Sequence, residues 1–192
     1  VKGASKGEGL GNQFLANIRE CDAIAHVLRC FDDDDVSHVE GRVDPLDDAE
    51  IIETELMLAD LENVNKRLKN LERKLKSFDA EAIKLADLLK LIKSSLEAGL
   101  PAREINLENE QTSLFKSLQL LTAKPVLYVC NVDEISAAKG NKYSRLIGKK
   151  TEKSNISAVV ISAAIEEEIS QLQDNDEMDM FLKEMGLNEA GL

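Results

Sequence analysis

Three short apolar runs, rich in β-branched residues, alternate along the chain with segments that can form helices. The runs cover residues 23–31, 126–130 and 158–161. Their hydrophobicity is too continuous for half-exposed strands, so they predict central strands covered on both faces. Candidate helices precede them at 10–20, 108–122 and 143–152. Helices that alternate with buried strands predict an α/β fold with a parallel sheet.

Between the first and second predicted strands, the apolar positions follow a heptad pattern. Spacings of four and three residues connect Met57, Leu61, Val64, Leu68, Leu71, Leu75 and Phe78. A shorter pattern follows at Leu85, Leu89, Ile92 and Leu96. Ser77 and Asp79 offer caps at the break, and Gly99 with Pro101 ends the second helix. An antiparallel helical hairpin is therefore predicted at 47–101, inserted between α/β parts at 1–46 and 102–192.

Charge is distributed unevenly along this predicted hairpin. The chain has 24 Lys and Arg against 36 Asp and Glu, a net charge of −12, which argues against a general DNA-coating protein. Residues 66–76 nevertheless hold six basic residues and one acidic residue. They are a candidate contact for a nucleic-acid backbone, through Lys66, Arg67, Arg73 and Lys74. An ordinary solvated coiled-coil surface is the simpler interpretation.

Composition indicates a globular protein without a membrane span. With 192 residues, 43% of them hydrophobic, the chain can form about one or two domains. No apolar run is long enough to cross a bilayer, and the start lacks the features of a signal peptide, so we expect a cytoplasmic protein. The three cysteines and two histidines lack the spacing of a metal site or a disulfide framework. Both ends of the chain suggest cuts through a longer protein.

Two kinds of polar segment are candidates for ligand binding. Glycines at 3, 7, 9 and 11 run into the first helix, and such a loop can move or approach a ligand closely. It matches neither the dinucleotide fingerprint nor the Walker A pattern. The second and third strands are followed by Asn131-Val132-Asp133-Glu134 and Ser162-Ala163-Ala164. Ligands bind beyond the carboxyl ends of parallel strands, so these two loops predict one site.

These segments resemble a known family. The pattern Lys-Gly-Ala-Ser-x-Gly-x-Gly-Leu-Gly-Asn-x-Phe-Leu at 2–15 is similar to the switch II region of the Obg superfamily of P-loop NTPases. Asn-x-x-Glu at 131–134, Ser-Ala-Ala at 162–164 and the coiled-coil insert narrow the resemblance to the YchF (Obg-like ATPase) family. Residues 31–45 resemble that family's strand-to-insert segment. The resemblance implies the C-terminal half of a Ras-like P-loop G domain, interrupted by an antiparallel α-helical coiled coil.

The resemblance also implies a function. It implies a translation-associated, ribosome-binding NTPase that binds and hydrolyses ATP and, more weakly, GTP. Base recognition would belong to Asn131, Val132, Glu134, Ser162, Ala163 and Ala164, and switch II to Gly3, Gly7, Gly9 and Gly11. Ras-like GTPases have Asn-Lys-x-Asp in the first of these loops, so Val132 and Glu134 favour adenine. The family's P-loop, its Mg²⁺ ligands and its TGS domain have no counterpart in residues 1–192, so we expect this chain alone to be inactive.

One catalytic candidate and two alternative functions stay open. His38 follows the first strand and could orient water, because the family has a hydrophobic residue in place of the usual switch II glutamine. A surface or packing histidine is the simpler interpretation. The alternatives are an Obg-like GTPase, which would have Lys at position 132 and Asp at position 134, and a non-catalytic helical module that binds RNA or protein. The oligomeric state is not indicated by the sequence.

Overall fold

A computed structural model describes residues 10–32, 43–152, 154, 156–172 and 174–191. In chain order the elements are α1 (Leu10–Glu20), β1 (Ile24–Arg29), α2 (Pro45–Lys76), α3 (Ala80–Glu97), α4 (Asn109–Ser117), β2 (Val126–Asn131), α5 (Lys142–Thr151), β3 (Ser157–Ile161), α6 (Ala163–Gln171) and α7 (Asn175–Glu184). Short 3₁₀ turns lie at Ala102–Glu104, Leu121–Ala123 and Glu134–Ser136. The predicted alternation of helices and strands is confirmed.

The described residues group into two compact units. The first unit takes its described residues from 1–24 and 50–125, and the second from 25–49 and 126–192. The cluster around Val64 and Leu88 lies in the first unit, and the cluster around Tyr128 and Cys130 lies in the second. The division of the chain at 47 and 101 stays a prediction.

The three strands form a sheet in the order β1–β2–β3. β2 and β3 are parallel, with Asn131 opposite Ile161. β1 runs in the same direction, because Ile24 N donates to Pro125 O at 2.9 Å and Cys30 N donates to Asn131 O at 2.8 Å. The carboxyl ends of all three strands therefore lie at one edge of the sheet.

Burial differs among the three strands. Tyr128 and Cys130 of the central strand β2 are buried. The prediction that all three strands are covered on both faces is wrong for β1 and β3, where Val27, Val159 and Val160 are exposed. Among the described residues, β1 and β3 each have a neighbouring strand on one side only. Their side chains consequently have fewer atoms to pack against.

Helices α2 and α3 form the predicted hairpin, joined by residues 77–79. Its core contains Val64, Leu88, Leu89, Ile92 and Leu96, with Met57, Leu61, Leu68, Leu71 and Leu85 partly buried against them. Asp79 caps α3 as predicted, because its carboxylate accepts hydrogen bonds from Glu81 N and Ala82 N at 3.0 and 3.1 Å. Phe78 was predicted in the apolar seam but is 85% exposed. It lies in the turn with a φ of 55°, which takes its side chain out of the seam.

A buried carboxylate, Asp60 of α2, joins three segments of the first unit. It accepts hydrogen bonds from Leu121 N at 2.9 Å and from Thr122 N and Oγ1, both at 2.8 Å. Arg19 Nη1 of α1 lies 3.4 Å from its Oδ1. Burial raises the pKa of the Asp60 carboxyl, and the hydrogen bonds from Thr122 and Leu121 oppose that shift. These contacts connect α1, α2 and the turn at Leu121–Ala123.

The cysteines are free thiols. Cys30 and Cys130 are buried and Cys21 is exposed. A hydrogen bond with Cys130, together with burial, raises the pKa of the Cys30 thiol, so this thiol stays protonated. In the ranges that the structure describes, no cluster of three or more acidic, His or Cys side chains is placed to hold a metal ion. None of the helices in these ranges is long and apolar enough to span a membrane.

Candidate functional site

Two polar loops follow β2 and β3 at the same edge of the sheet. Asn131 is opposite Ile161 in the strand register, so the loops that start at 131 and 162 begin side by side. Asn131 Oδ1 accepts a hydrogen bond from Ala163 N at 2.9 Å. Val132 N donates to Ile161 O at 2.8 Å. The structure thus brings together the two loops that the sequence assigned to one site.

The hydrogen bond from Ala163 fixes which end of the Asn131 amide meets the second loop. Because a backbone N–H donates to it, the contacting atom is the carbonyl Oδ1, and the Nδ2 group is left as a donor. Adenine and guanine both carry an acceptor at N7. Asn131 is therefore suited to recognise a purine, without choosing between adenine and guanine.

The carboxylates of the first loop differ in their surroundings. Asp133 caps the turn Glu134–Ser136, because its Oδ1 accepts from Ser136 N at 2.9 Å. The sequence reasoning missed this role, although an Asp just before a short turn is a known turn signal. Glu134 is exposed at the start of the same turn. Glu134 is thus the carboxylate of this loop that can meet a base.

Val132 directly follows β2, and its side chain lies in a hydrophobic cluster of the second unit. Its side chain is 2% exposed and packs with Cys130, Tyr128 and Ile147. Position 132 continues the alternation of β2, so its side chain falls on the same buried face as Cys130. Its backbone N–H donates to Ile161 O, so this N–H is not available to a ligand, and the role of Val132 in base recognition stays a prediction.

The second loop contains a buried hydroxyl group. Ser162 is 2% exposed, and its Oγ has no hydrogen-bond partner among the described residues. Most buried hydroxyls in proteins are hydrogen bonded, so Ser162 is an exception within the described part of the chain. Ala163 and Ala164 are exposed in the first turn of α6. Their small side chains leave room for a planar group.

A cleft of about 400 Å³ lies beside the first loop, and the sequence reasoning missed it. Its lining comprises Phe31, Asp32, Asp133, Asn141, Lys142 and Tyr143. Tyr143 donates a hydrogen bond to Asp32 at 2.8 Å, and Asn141 Nδ2 donates to Cys30 O at 2.5 Å. Asn141 also caps α5, a role that the Asn-x-x-Ser spacing could have indicated. The first loop therefore borders an open cleft with polar lining at Asp133.

Several predicted site residues cannot be placed. His38, Gly3, Gly7 and Gly9 lie outside the described residues. Gly11 lies in α1. The proposed roles of these residues in switch II and in orienting water stay predictions.

The predicted nucleic-acid contacts on α2 divide into two groups. Lys66, Arg73 and Lys74 are exposed. Arg67 is half-buried, and it donates to Asn63 Oδ1 at 2.6 Å and to Leu118 O at 3.3 Å. Since its guanidinium is committed within the first unit, Arg67 is a poor contact for a phosphate.

The chain is similar over its full length to known proteins. No protein-family model matches the chain. It is 46% identical over 194 residues to the ribosome-binding ATPase YchF of Bacillus subtilis, covering 100% of this chain and 53% of that protein. The YchF of Escherichia coli O157:H7 is 44% identical over 193 residues, with 100% and 52% covered. The solved structure of the Schizosaccharomyces pombe YchF GTPase matches with a TM-score of 0.83 at 35% identity, covering 100% of this chain and 53% of that one. The chain thus spans about half the length of the curated relatives it matches.

Proposed function

The chain belongs to the YchF family, and from this membership we propose that the whole protein binds and hydrolyses ATP and, more weakly, GTP. The bacterial relatives are named ribosome-binding ATPases, so we also propose a ribosomal, RNA-containing partner and a cytoplasmic location. Within the whole protein, residues 131–134 and 162–164 recognise the base. Hydrolysis is proposed for the whole protein and not for this chain alone.

The observation that carries this proposal is the joining of the two loops. The hydrogen bond between Asn131 Oδ1 and Ala163 N holds them together and leaves the Asn131 amide as a donor. The buried Ser162 hydroxyl beside them has no partner among the described residues. A bound base and sugar would offer such a group the missing hydrogen-bond partner. A preorganised donor and an unsatisfied hydroxyl at a sheet edge support a purine nucleotide as the ligand.

The residues of this chain bind the base of the nucleotide and not its phosphates. Phosphoryl transfer needs backbone amides, a lysine and Mg²⁺ around the phosphates, and the family resemblance assigns these groups to segments outside residues 1–192. The magnesium ligands are likewise assigned outside this chain. Bound Mg²⁺ would neutralise the charge on the phosphates. The residues of this chain would bind and orient the base, and His38 is proposed to orient water.

The preference between adenine and guanine follows from the position of the exposed Glu134 carboxylate. Guanine presents two donors, N1–H and the 2-amino group, which a well-placed Asp carboxylate accepts together. Glu134 stands where Ras-like GTPases have that Asp, and its additional methylene moves the carboxylate away from the position that suits both donors. Adenine offers an acceptor at N1 and a donor at the 6-amino group, which backbone groups of the loop can serve without a bidentate carboxylate. ATP should therefore bind more tightly than GTP.

We expect the whole protein to bind ATP more tightly than GTP by about 1–2 kcal/mol, the scale of one or two net hydrogen bonds. This difference corresponds to a ratio of dissociation constants of about 5 to 30. The variant Glu134→Asp should bring the dissociation constants of ATP and GTP closer together, because it restores the shorter Asp side chain of Ras-like GTPases. Isothermal titration calorimetry with each nucleotide measures both constants.

The control for this variant is Glu152→Asp, the same change at an exposed position at the end of α5. It should leave the ratio unchanged. Tighter binding of GTP than of ATP by the unmodified protein would contradict the base assignment and favour a GTPase, as the Schizosaccharomyces pombe relative is named. Binding of neither nucleotide would favour a non-catalytic helical module.

A further inference from the structure

Residues 185–191, which follow α7, pack back against α6. Leu187 and Ala190 pack against the hydrophobic cluster that contains Ile165 of α6 and Ala137. Ala137 directly follows the short turn after the first loop, and Ile165 directly follows the second loop. This segment therefore packs against residues that come immediately after both loops of the candidate site.

Gly191 brings the backbone of this segment very close to β3 and α6. Its N–H donates a hydrogen bond to Glu166 Oε1 at 2.8 Å. A Cβ atom at position 191 would lie only 2.8 Å from Ile161 Cγ2 and 2.8 Å from Glu166 Oε1. Carbon atoms in favourable contact are about 3.5–4.0 Å apart. The close approach therefore requires a residue without a side chain at position 191.

The two residues that Gly191 contacts lie on either side of the second loop, residues 162–164. Ile161 ends β3 directly before the loop, and it lies opposite Asn131 in the strand register. Glu166 lies in the first turn of α6, two residues after the loop. Between them, Ala163 N donates the hydrogen bond to Asn131 Oδ1 that joins the two loops. Gly191 is thus in contact with both ends of the segment that makes this connection.

We propose that Gly191 and Glu166 are positioning residues for nucleotide binding, which hold the second loop in the arrangement that receives the base. A side chain at position 191 would push Ile161 or Glu166 away, and either shift moves one end of the loop. The hydrogen bond from Ala163 N to Asn131 Oδ1 would then lose its geometry. Groups that are held in place before binding lose less freedom when they bind. The proposal rests on the proposed function, and it specifies residues outside the base site that set its affinity.

The test uses two pairs of variants of the whole protein. Gly191→Ala adds the Cβ atom, and its control is Gly148→Ala in α5 of the same unit, where a Cβ atom would meet no other described residue within 4 Å. Glu166→Ala removes the acceptor of the Gly191 N–H, whereas Glu166→Gln keeps a side-chain oxygen that can accept it. Calorimetry measures the dissociation constant of ATP, and phosphate release at saturating ATP measures kcat. Urea unfolding is measured on the same samples.

Gly191→Ala and Glu166→Ala should each raise the dissociation constant of ATP about tenfold, because they displace groups that the base needs in fixed positions. Their kcat should change by less than about twofold, since the lost interaction is with the base and not with the reacting phosphate. Glu166→Gln and Gly148→Ala should bind ATP within about twofold of the unmodified protein.

Three results would overturn the proposal while the proposed function stands. They are unchanged ATP affinity of Gly191→Ala or Glu166→Ala, equal weakening by Glu166→Gln and Glu166→Ala, and a loss of kcat with early urea unfolding, which would indicate a general structural defect. If the unmodified protein binds no ATP, the proposed function itself fails, and the positioning role fails with it.

Discussion

Replacing Asp60 by Ala is expected to lower the free energy of unfolding of the chain by roughly 3–5 kcal/mol. The carboxylate accepts hydrogen bonds from two backbone N–H groups and from the Thr122 hydroxyl. Ala leaves these buried donors without an acceptor, and it removes the carboxylate that pairs with the Arg19 guanidinium. Urea denaturation followed by far-UV circular dichroism measures the loss.

Asp87→Ala is the matched control for this substitution. Asp87 lies on the other helix of the hairpin, and its ion pair with Lys90 is exposed. Exposed pairs of this kind contribute little, so the control should cost about 0.5 kcal/mol or less. Similar losses for the two variants would mean that the Asp60 network does not stabilise the first unit.

Leu68→Asp should unfold the hairpin at moderate temperature while the sheet persists. Leu68 packs against the core that contains Val64, Leu89 and Ile92, and a charge there costs roughly several kcal/mol. The cluster around Tyr128 lies in the other unit. The chain has two tyrosines and no tryptophan, so the near-UV tyrosine signal reports the second unit alone.

Thermal melts of the Leu68→Asp variant should therefore lose far-UV helical signal early and retain the tyrosine signal to higher temperature. Asn70→Asp is the control, since it adds the same charge at an exposed position of the same helix. It should melt like the unmodified chain. Simultaneous loss of both signals in Leu68→Asp would show that the two units do not unfold independently.

Features with local signals were predicted correctly from the sequence. The bounds of α1 coincide with the prediction of 10–20, and β2 begins at Val126 as predicted. Asp79 caps α3 because the residues that donate to it follow at once in the chain. The side-by-side placement of the loops at 131 and 162 follows from the parallel register of β2 and β3. In each case the cause lies in periodicity, local hydrogen bonding or strand direction.

Features that depend on distant partners were not predicted. Asp60 is a polar position in an amphipathic helix, and such positions normally face solvent. Its partners Leu121 and Thr122 come from a turn about sixty residues away, so no local pattern shows its burial. Arg67 is likewise used by Leu118 O, which follows it by 51 residues. The family resemblance identified Val132 only by its residue type. The burial of its side chain could not be predicted in this way, because it depends on packing against the sheet.

The central claim is that residues 131–134 and 162–164 form the base site, and amide hydrogen exchange of the whole protein, with and without saturating ATP, tests it most directly. Bound nucleotide should cover these backbone segments and reduce their opening, so exchange should slow in both of them. The hairpin helices α2 and α3 should be unchanged. Slowed exchange at other segments, with unchanged exchange at 131–134 and 162–164, would contradict the assignment.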